Sequence, residues 1–150
     1  MPSLTENRKA HFDYEILETF EAGLALKGYE AKAIRKGMAR IQGSYIIIRD
    51  GRALLVGTHI PPYQTANTPE DYDPDRTREL LLHKQEIRYL TGKSAEQGLT
   101  LVPLEVYTKR NLIKLKFGLG RGKKTIDKRQ KIQKREEGRR INRTLKYSQE

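Results

Sequence analysis

Asp71-x-Asp73-x-Asp75 places three carboxylates at the alternate spacing with which a calcium loop begins. Such a loop needs glycine at its sixth position and a bidentate glutamate at its twelfth, where this chain has Arg76 and Leu82, so the calcium reading fails. Gly118-x-Gly120-x-Gly122-Lys123-Lys124 invites comparison with a phosphate loop. Its spacing departs from G-x-x-x-x-G-K-[ST], and Lys124 stands where the magnesium-binding hydroxyl belongs. These glycines read instead as a flexible exit from a strand. The three histidines, His11, His59 and His83, are scattered and share no ligand spacing with a carboxylate, and the chain has no cysteine. No nucleophile, base and orienting group lie near one another in sequence, so no catalytic residue, metal or cofactor is expected. Two groups keep alternative readings. Glu30, among Lys32, Arg35 and Lys36, is either a helix salt-bridge partner or an acceptor for base amino groups and ribose hydroxyls. His83, beside Lys84, is either a surface hydrogen-bonding group or a nucleic-acid contact.

Charge separates the chain into two parts. Residues 121–150 carry twelve Lys or Arg against four Asp or Glu, so most of the net charge of +11 sits in the last fifth. A polyanion that neutralises this excess is the natural partner. The apolar residues of that segment form no continuous helical stripe, which disfavours a membrane-surface helix. No window approaches the roughly 18 apolar residues of a membrane span. Residues 1–7 lack the apolar run of a signal peptide and cysteine is absent, so a cytoplasmic protein is expected.

The elements that must position these residues follow from period and punctuation. Phe12, Tyr14, Ile16 and Phe20 alternate with polar residues and predict a first strand running toward Leu24 and Leu26. Gly28 opens a segment of good helix formers closed by Gly37, a short helix with a left-handed cap. Residues 45–48 and 53–56 flank Asp50-Gly51 and predict a hairpin, since both turn residues favour positive φ. Asp73-Pro74 reads as an N-cap and first helical position, with Leu80, His83, Ile87 and Leu90 recurring at helical spacing, the helix broken near His83-Lys84. Residues 100–107 and 112–119 predict a second strand pair, with Pro103 at an edge or a bulge. Five or six short strands with two or three inserted helices make a mainly β chain. The simplest way to bury them is an OB-like small antiparallel barrel over residues 1–120, with residues 121–150 a basic tail that is disordered when free.

Taken in order, a series of motifs resembles one family. The series comprises Asn7-Arg8-Lys9-Ala10, Glu21-Ala22-Gly23, Gly28-x-Glu30-x-Lys32, Ser44-Tyr45, His59-Ile60-x-Pro62-Tyr63, Asp73-Pro74-x-Arg76-x-Arg78, Leu80-Leu81-Leu82-His83-Lys84-x-Glu86-Ile87, residues 100–104, Gly122-Lys123-Lys124 and Asp127-Lys128-Arg129. Across nearly the whole chain it is similar to small protein B, the SsrA-binding protein family. The resemblance implies a non-enzymatic adaptor that binds the tRNA-like domain of transfer-messenger RNA and delivers it to stalled 70S ribosomes for trans-translation. It implies elongation factor Tu in the delivery complex and no membrane partner. It further implies an RNA-binding body surface at Asn7, Arg8, Lys9, Glu30, Lys32, Leu82, His83 and Lys84. The tail, with Gly122, Lys123, Lys124, Asp127, Lys128 and Arg129, is implied to sense the empty mRNA channel beyond the decoding centre. Two positions depart from the family pattern: Phe12 stands where histidine is frequent, and Ile126 where an aromatic or histidine is frequent.

Overall fold

Alternation of apolar and polar residues produces strands only where a neighbouring strand can accept them, and the partners here close on themselves. The computed structural model describes residues 3–64, 66 and 68–122. In chain order the elements are β1 (Ser3–Glu6), α1 (Arg8–Asp13), β2 (Tyr14–Leu24), α2 (Gly28–Arg35), β3 (Tyr45–Arg49), β4 (Arg52–Val56), β5 (Arg78–Leu81), α3 (Lys84–Ser94), β6 (Leu99–Lys109) and β7 (Leu112–Gly122). The strand order is β1-β6-β3-β4-β5-β2-β7, and β7 pairs again with β6. Six antiparallel strands therefore form a closed barrel of the OB kind, with β1 added on β6. Closure leaves few exposed backbone edges. The seam between β3 and β6 is thin, a single pair at Ile46 and Leu101.

The inward positions of the long strands supply the core. Leu101 and Val106 from β6, Leu115, Phe117 and Leu119 from β7, and Leu55 and Leu80 from the shorter strands are at most 2% exposed. Each such side chain contributes about 1.5–3 kcal/mol by leaving water. Ala33 and Ile34 of α2 and Leu90 of α3 join the same core. The hairpin at Asp50-Gly51 has the expected geometry, with φ of 52° and 72°. Gly37 caps α2 with φ of 72°. Pro103 sits where the β6–β7 register shifts, the bulge that its missing N–H requires.

Four expectations are corrected. Phe12 belongs to α1, not to the first strand, and is 69% exposed. The pairing of β2 begins at Tyr14, opposite Gly122 at the end of β7, so Phe12 has no strand partner there. Residues 74–82 are not helical. Asp73 instead builds a turn, its Oδ1 accepting the Asp75 N–H at 2.9 Å, and β5 fits between β4 and β2. Four residues satisfy a period of 2 and of 3.6 almost equally well, so the flanking strands decided. Gly118 and Gly120 are not a flexible exit but the tightest part of β7. A Cβ at Gly118 would lie 2.7 Å from Ile16 Cγ2, and one at Gly120 would lie 3.2 Å from Tyr14 Cβ. The strand count among the described residues is seven, because residues 3–6 and 78–81 are too short to announce themselves by pattern.

Candidate nucleic-acid interface

Glu30 is the third residue of α2, and its position there lets the carboxylate reach back to the Lys27 backbone N–H at 2.8 Å. The side chain is sealed from solvent, at 0% exposure, and does not lie on the surface expected for an RNA contact. Its partners are not the neighbouring helix cations. Arg76 donates Nε at 3.0 Å together with Nη2, Arg78 donates Nε at 2.8 Å, and the Tyr72 hydroxyl lies 3.1 Å away. Arg78 is equally buried, and its other nitrogens donate to Thr58 O, Tyr72 Oη and Pro74 O. Burial pushes the Glu30 carboxyl up, but hydrogen bonds from Arg76, the Lys27 N–H and Arg78 outweigh it and hold the group below its ordinary value. Burial pushes the Tyr72 hydroxyl up to about 12. This cluster clamps α2 to residues 72–78 and leaves Arg76 partly exposed, with 30% of its side chain open.

Asn7 is likewise turned inward. Its backbone N–H donates to Leu104 O at 2.8 Å and its Nδ2 to Pro103 O at 2.9 Å, so it satisfies the carbonyls that the β6 bulge would leave unpaired. Arg8 and Lys9 follow on α1 and face solvent, Arg8 making only a loose 3.5 Å pair with Glu6. Lys9 lines an open cleft of about 560 Å³ with Tyr14, Ser44, Tyr45 and Thr100. Lys32 is exposed on α2. Leu82 packs partly against the core. His83 is the N-cap of α3, its backbone N–H bonded to Glu86 Oε1 at 3.2 Å, and its ring and Lys84 are exposed.

The predicted body residues thus divide. Arg8, Lys9, Lys32, His83 and Lys84 present donors outward, while Asn7, Glu30 and Leu82 hold the framework. Sequence reading missed Tyr72, Arg76 and Arg78 as the partners of Glu30. The signal was present in Arg76-x-Arg78, two guanidiniums set one residue apart where the chain enters β5, but nothing along the chain tied them to Glu30. Gly122 pairs with Tyr14 at the end of β7. Lys123, Lys124, Asp127, Lys128, Arg129 and the rest of the tail lie outside the described residues.

The acidic candidates are also accounted for. Asp75 Oδ1 lies 2.8 Å from His59 Nδ1, and among the described residues no three His, Cys, Asp or Glu side chains are grouped to hold a metal. No described helix is long and apolar enough to cross a membrane.

A closed barrel whose largest buried ionic groups are spent internally while unpaired cations face outward is a basic binding module of the OB type. The family profile described as SmpB protein matches residues 4–147. SsrA-binding protein of Trichormus variabilis is 50% identical over 143 residues, 95% of this chain and 92% of that protein. SsrA-binding protein of Acaryochloris marina is 49% identical over 147 residues, 98% of this chain and 96% of that protein. A solved chain reported under the words "tmRNA-SmpB: a journey to the center of the bacterial ribosome" is 49% identical. It superposes with a TM-score of 0.65, covering 79% of this chain and 83% of that one. This chain belongs to the SmpB family, whose members are RNA-binding adaptors and not enzymes.

Proposed function

We propose that the protein binds the tRNA-like domain of transfer-messenger RNA with its barrel. It escorts that RNA, in company with elongation factor Tu, to 70S ribosomes stalled on messages lacking a stop codon, in the cytoplasm. The observation that carries this reading is the match to SsrA-binding proteins along nearly the entire chain, barrel and tail together. The geometry agrees with it. Arg8, Lys9, Lys32, His83 and Lys84 present donors to a phosphate backbone, and the anion among the expected contacts, Glu30, is withdrawn into the fold.

The tail supplies the second half of the reading. Lys123, Lys124, Asp127, Lys128 and Arg129 enter the vacant mRNA channel and fold there as a helix. Lys124, Lys128, Lys131 and Arg135 recur at spacings of three and four, so a helix gathers them in one stripe that tracks ribosomal phosphates. The 28 residues that follow Gly122 would span ~42 Å as a helix, enough to probe well beyond the decoding centre. Message in the channel removes that binding surface.

The test is to sequence the RNA that copurifies with the tagged full-length protein from its own cells. A stoichiometric tRNA-like species with a reading frame is expected. Ribosomal RNA alone, with no enrichment of a tRNA-like species, would make the protein a structural ribosome component instead.

A further inference from the structure

The two ends of β7 lie at opposite poles of the barrel. At one, Gly122 pairs with Tyr14 and the chain leaves toward residue 123. At the other, Leu112 begins the strand immediately after the turn Arg110-Asn111. Eleven strand residues separate these poles by roughly 35 Å.

The turn itself is unusual in composition. Both of its residues have positive φ, 52° at Arg110 and 64° at Asn111, the geometry of a two-residue turn that prefers Asn, Asp or Gly. The chain's other such hairpin uses the preferred pair, Asp50-Gly51, at φ of 52° and 72°. An arginine in the left-handed region strains its Cβ against the carbonyl, so Arg110 is held at a cost in turn stability. Across the surface, Arg35 Nη2 donates to Asn111 O at 2.6 Å and docks the end of α2 on this turn. That hydrogen bond brings Lys32, Arg35 and Lys36, far away in sequence, to the same pole as Arg110. All four are exposed, and none pairs with a carboxylate among the described residues. Arg52, Arg76, Arg78, Lys93 and Lys109 have such partners, whereas Lys9, Arg40, Arg49 and Lys84 also have none among the described residues, so what sets these four apart is their gathering at one pole. The helix dipole favours cations in the last turn of α2, but it does not explain an arginine in the turn opposite, and Lys32 and Lys36 at i, i+4 repel.

We infer that Lys32, Arg35, Lys36 and Arg110 form one phosphate-binding surface, at the pole opposite the tail exit, for the sugar–phosphate backbone of the tRNA-like RNA. This rests on the function proposed above: with the tail directed into the ribosome, the far pole stays open to the incoming RNA. Arg110 is then a residue kept for binding against the preference of its own turn.

The experiment uses the full-length protein and an in vitro transcribed tRNA-like fragment. Arg110→Asn, and the triple variant Lys32→Gln, Lys36→Gln, Arg110→Asn, are compared with wild type in affinity across a salt series and in melting temperature. Arg110→Asn is expected to melt at or above the wild-type temperature while binding the fragment more weakly. In the triple variant the slope of log K against log salt should flatten by about 2–3, since each phosphate that is no longer neutralised takes away about 0.7–0.9. An unchanged slope with wild type binding normally overturns this surface and leaves the proposed function standing. A flattening seen only with purified ribosomal subunits, and not with the fragment, also overturns it. Failure of wild type itself to bind the fragment would refute both.

Discussion

Replacing Glu30 by alanine should erode the protein's stability margin before it tests any RNA contact. The substitution removes the carboxylate that Arg76, Arg78, Tyr72 and the Lys27 N–H all address. It leaves Arg78 charged at 0% exposure, with only neutral acceptors remaining. Stranding one member of a buried ion pair costs about 3–5 kcal/mol, against a typical domain stability of about 5–15 kcal/mol. For a body of this size that corresponds to a melting temperature lower by roughly 10–20 °C. Differential scanning calorimetry and urea titration of the purified variant read it directly. Adding Arg78→Met to Glu30→Ala should recover at least about 1.5 kcal/mol, because much of the single-variant cost is the unpaired guanidinium. The pH dependence follows from the same cluster. Glu30 titrates below its ordinary 4.5 when folded, so its contribution is fully present above that value and is lost as pH falls through the lower folded one. Tyr72 is raised from 10.0 to about 12, so its contribution is present below pH 10 and is lost between there and about 12. A Glu30→Ala protein that melts within about 3 °C of wild type, a loss of less than about 1 kcal/mol, would refute the clamp.

Gly118→Ala puts a methyl 2.7 Å from Ile16 Cγ2 and 3.3 Å from Glu18 O, and should cost about 1–3 kcal/mol in urea denaturation. Gly122→Ala, with nothing within 4 Å, should be close to neutral in the same assay. Truncation after Gly122, the last paired residue of β7, should preserve the melting temperature and specific RNA affinity while abolishing tagging of stalled chains. Loss of specific RNA binding by that truncated body would end the division between barrel and tail. Lys131→Pro and its charge-neutral companion Gln130→Pro, each costing about 3 kcal/mol in a helix interior, should both slow tagging on stalled ribosomes without changing RNA binding by the body. Wild-type tagging rates in both would make the tail a flexible polycation.

The clamp also orders the outer surface. By consuming Glu30 and fixing Arg76 and Arg78, the cluster ties α2 to the segment that precedes β5. α2 in turn carries Lys32, Arg35 and Lys36, and Arg35 reaches the β6–β7 turn. A charge buried in the fold thus sets where exposed charges stand, and among the described residues no carboxylate pairs with those cations to neutralise them.

Local chemistry was enough for some features and could not be enough for others. The hairpin at Asp50-Gly51, the extent and glycine cap of α2, the β6–β7 pair and the disturbance at Pro103 were all legible along the chain. Each depends on residues adjacent in sequence, through backbone preference at Asp50-Gly51, Gly37 and Pro103 and through alternation of apolar and polar residues in the β6–β7 pair. So were the concentration of positive charge after residue 120 and, through the motif series, the family. Whether residues 78–81 are strand or helix was settled in three dimensions, because four residues fit both periods and the choice belonged to β4 and β2. Nor could the chain show in one dimension that Gly118 and Gly120 sit against β2, since an approach of 2.7 Å is a property of two strands. The same holds for Glu30, whose sequence neighbours are Lys32 and Arg35 but whose actual partners lie 46 and 48 positions away. A carboxylate binds the cations that share its low-dielectric surroundings, and burial is settled only when the barrel closes.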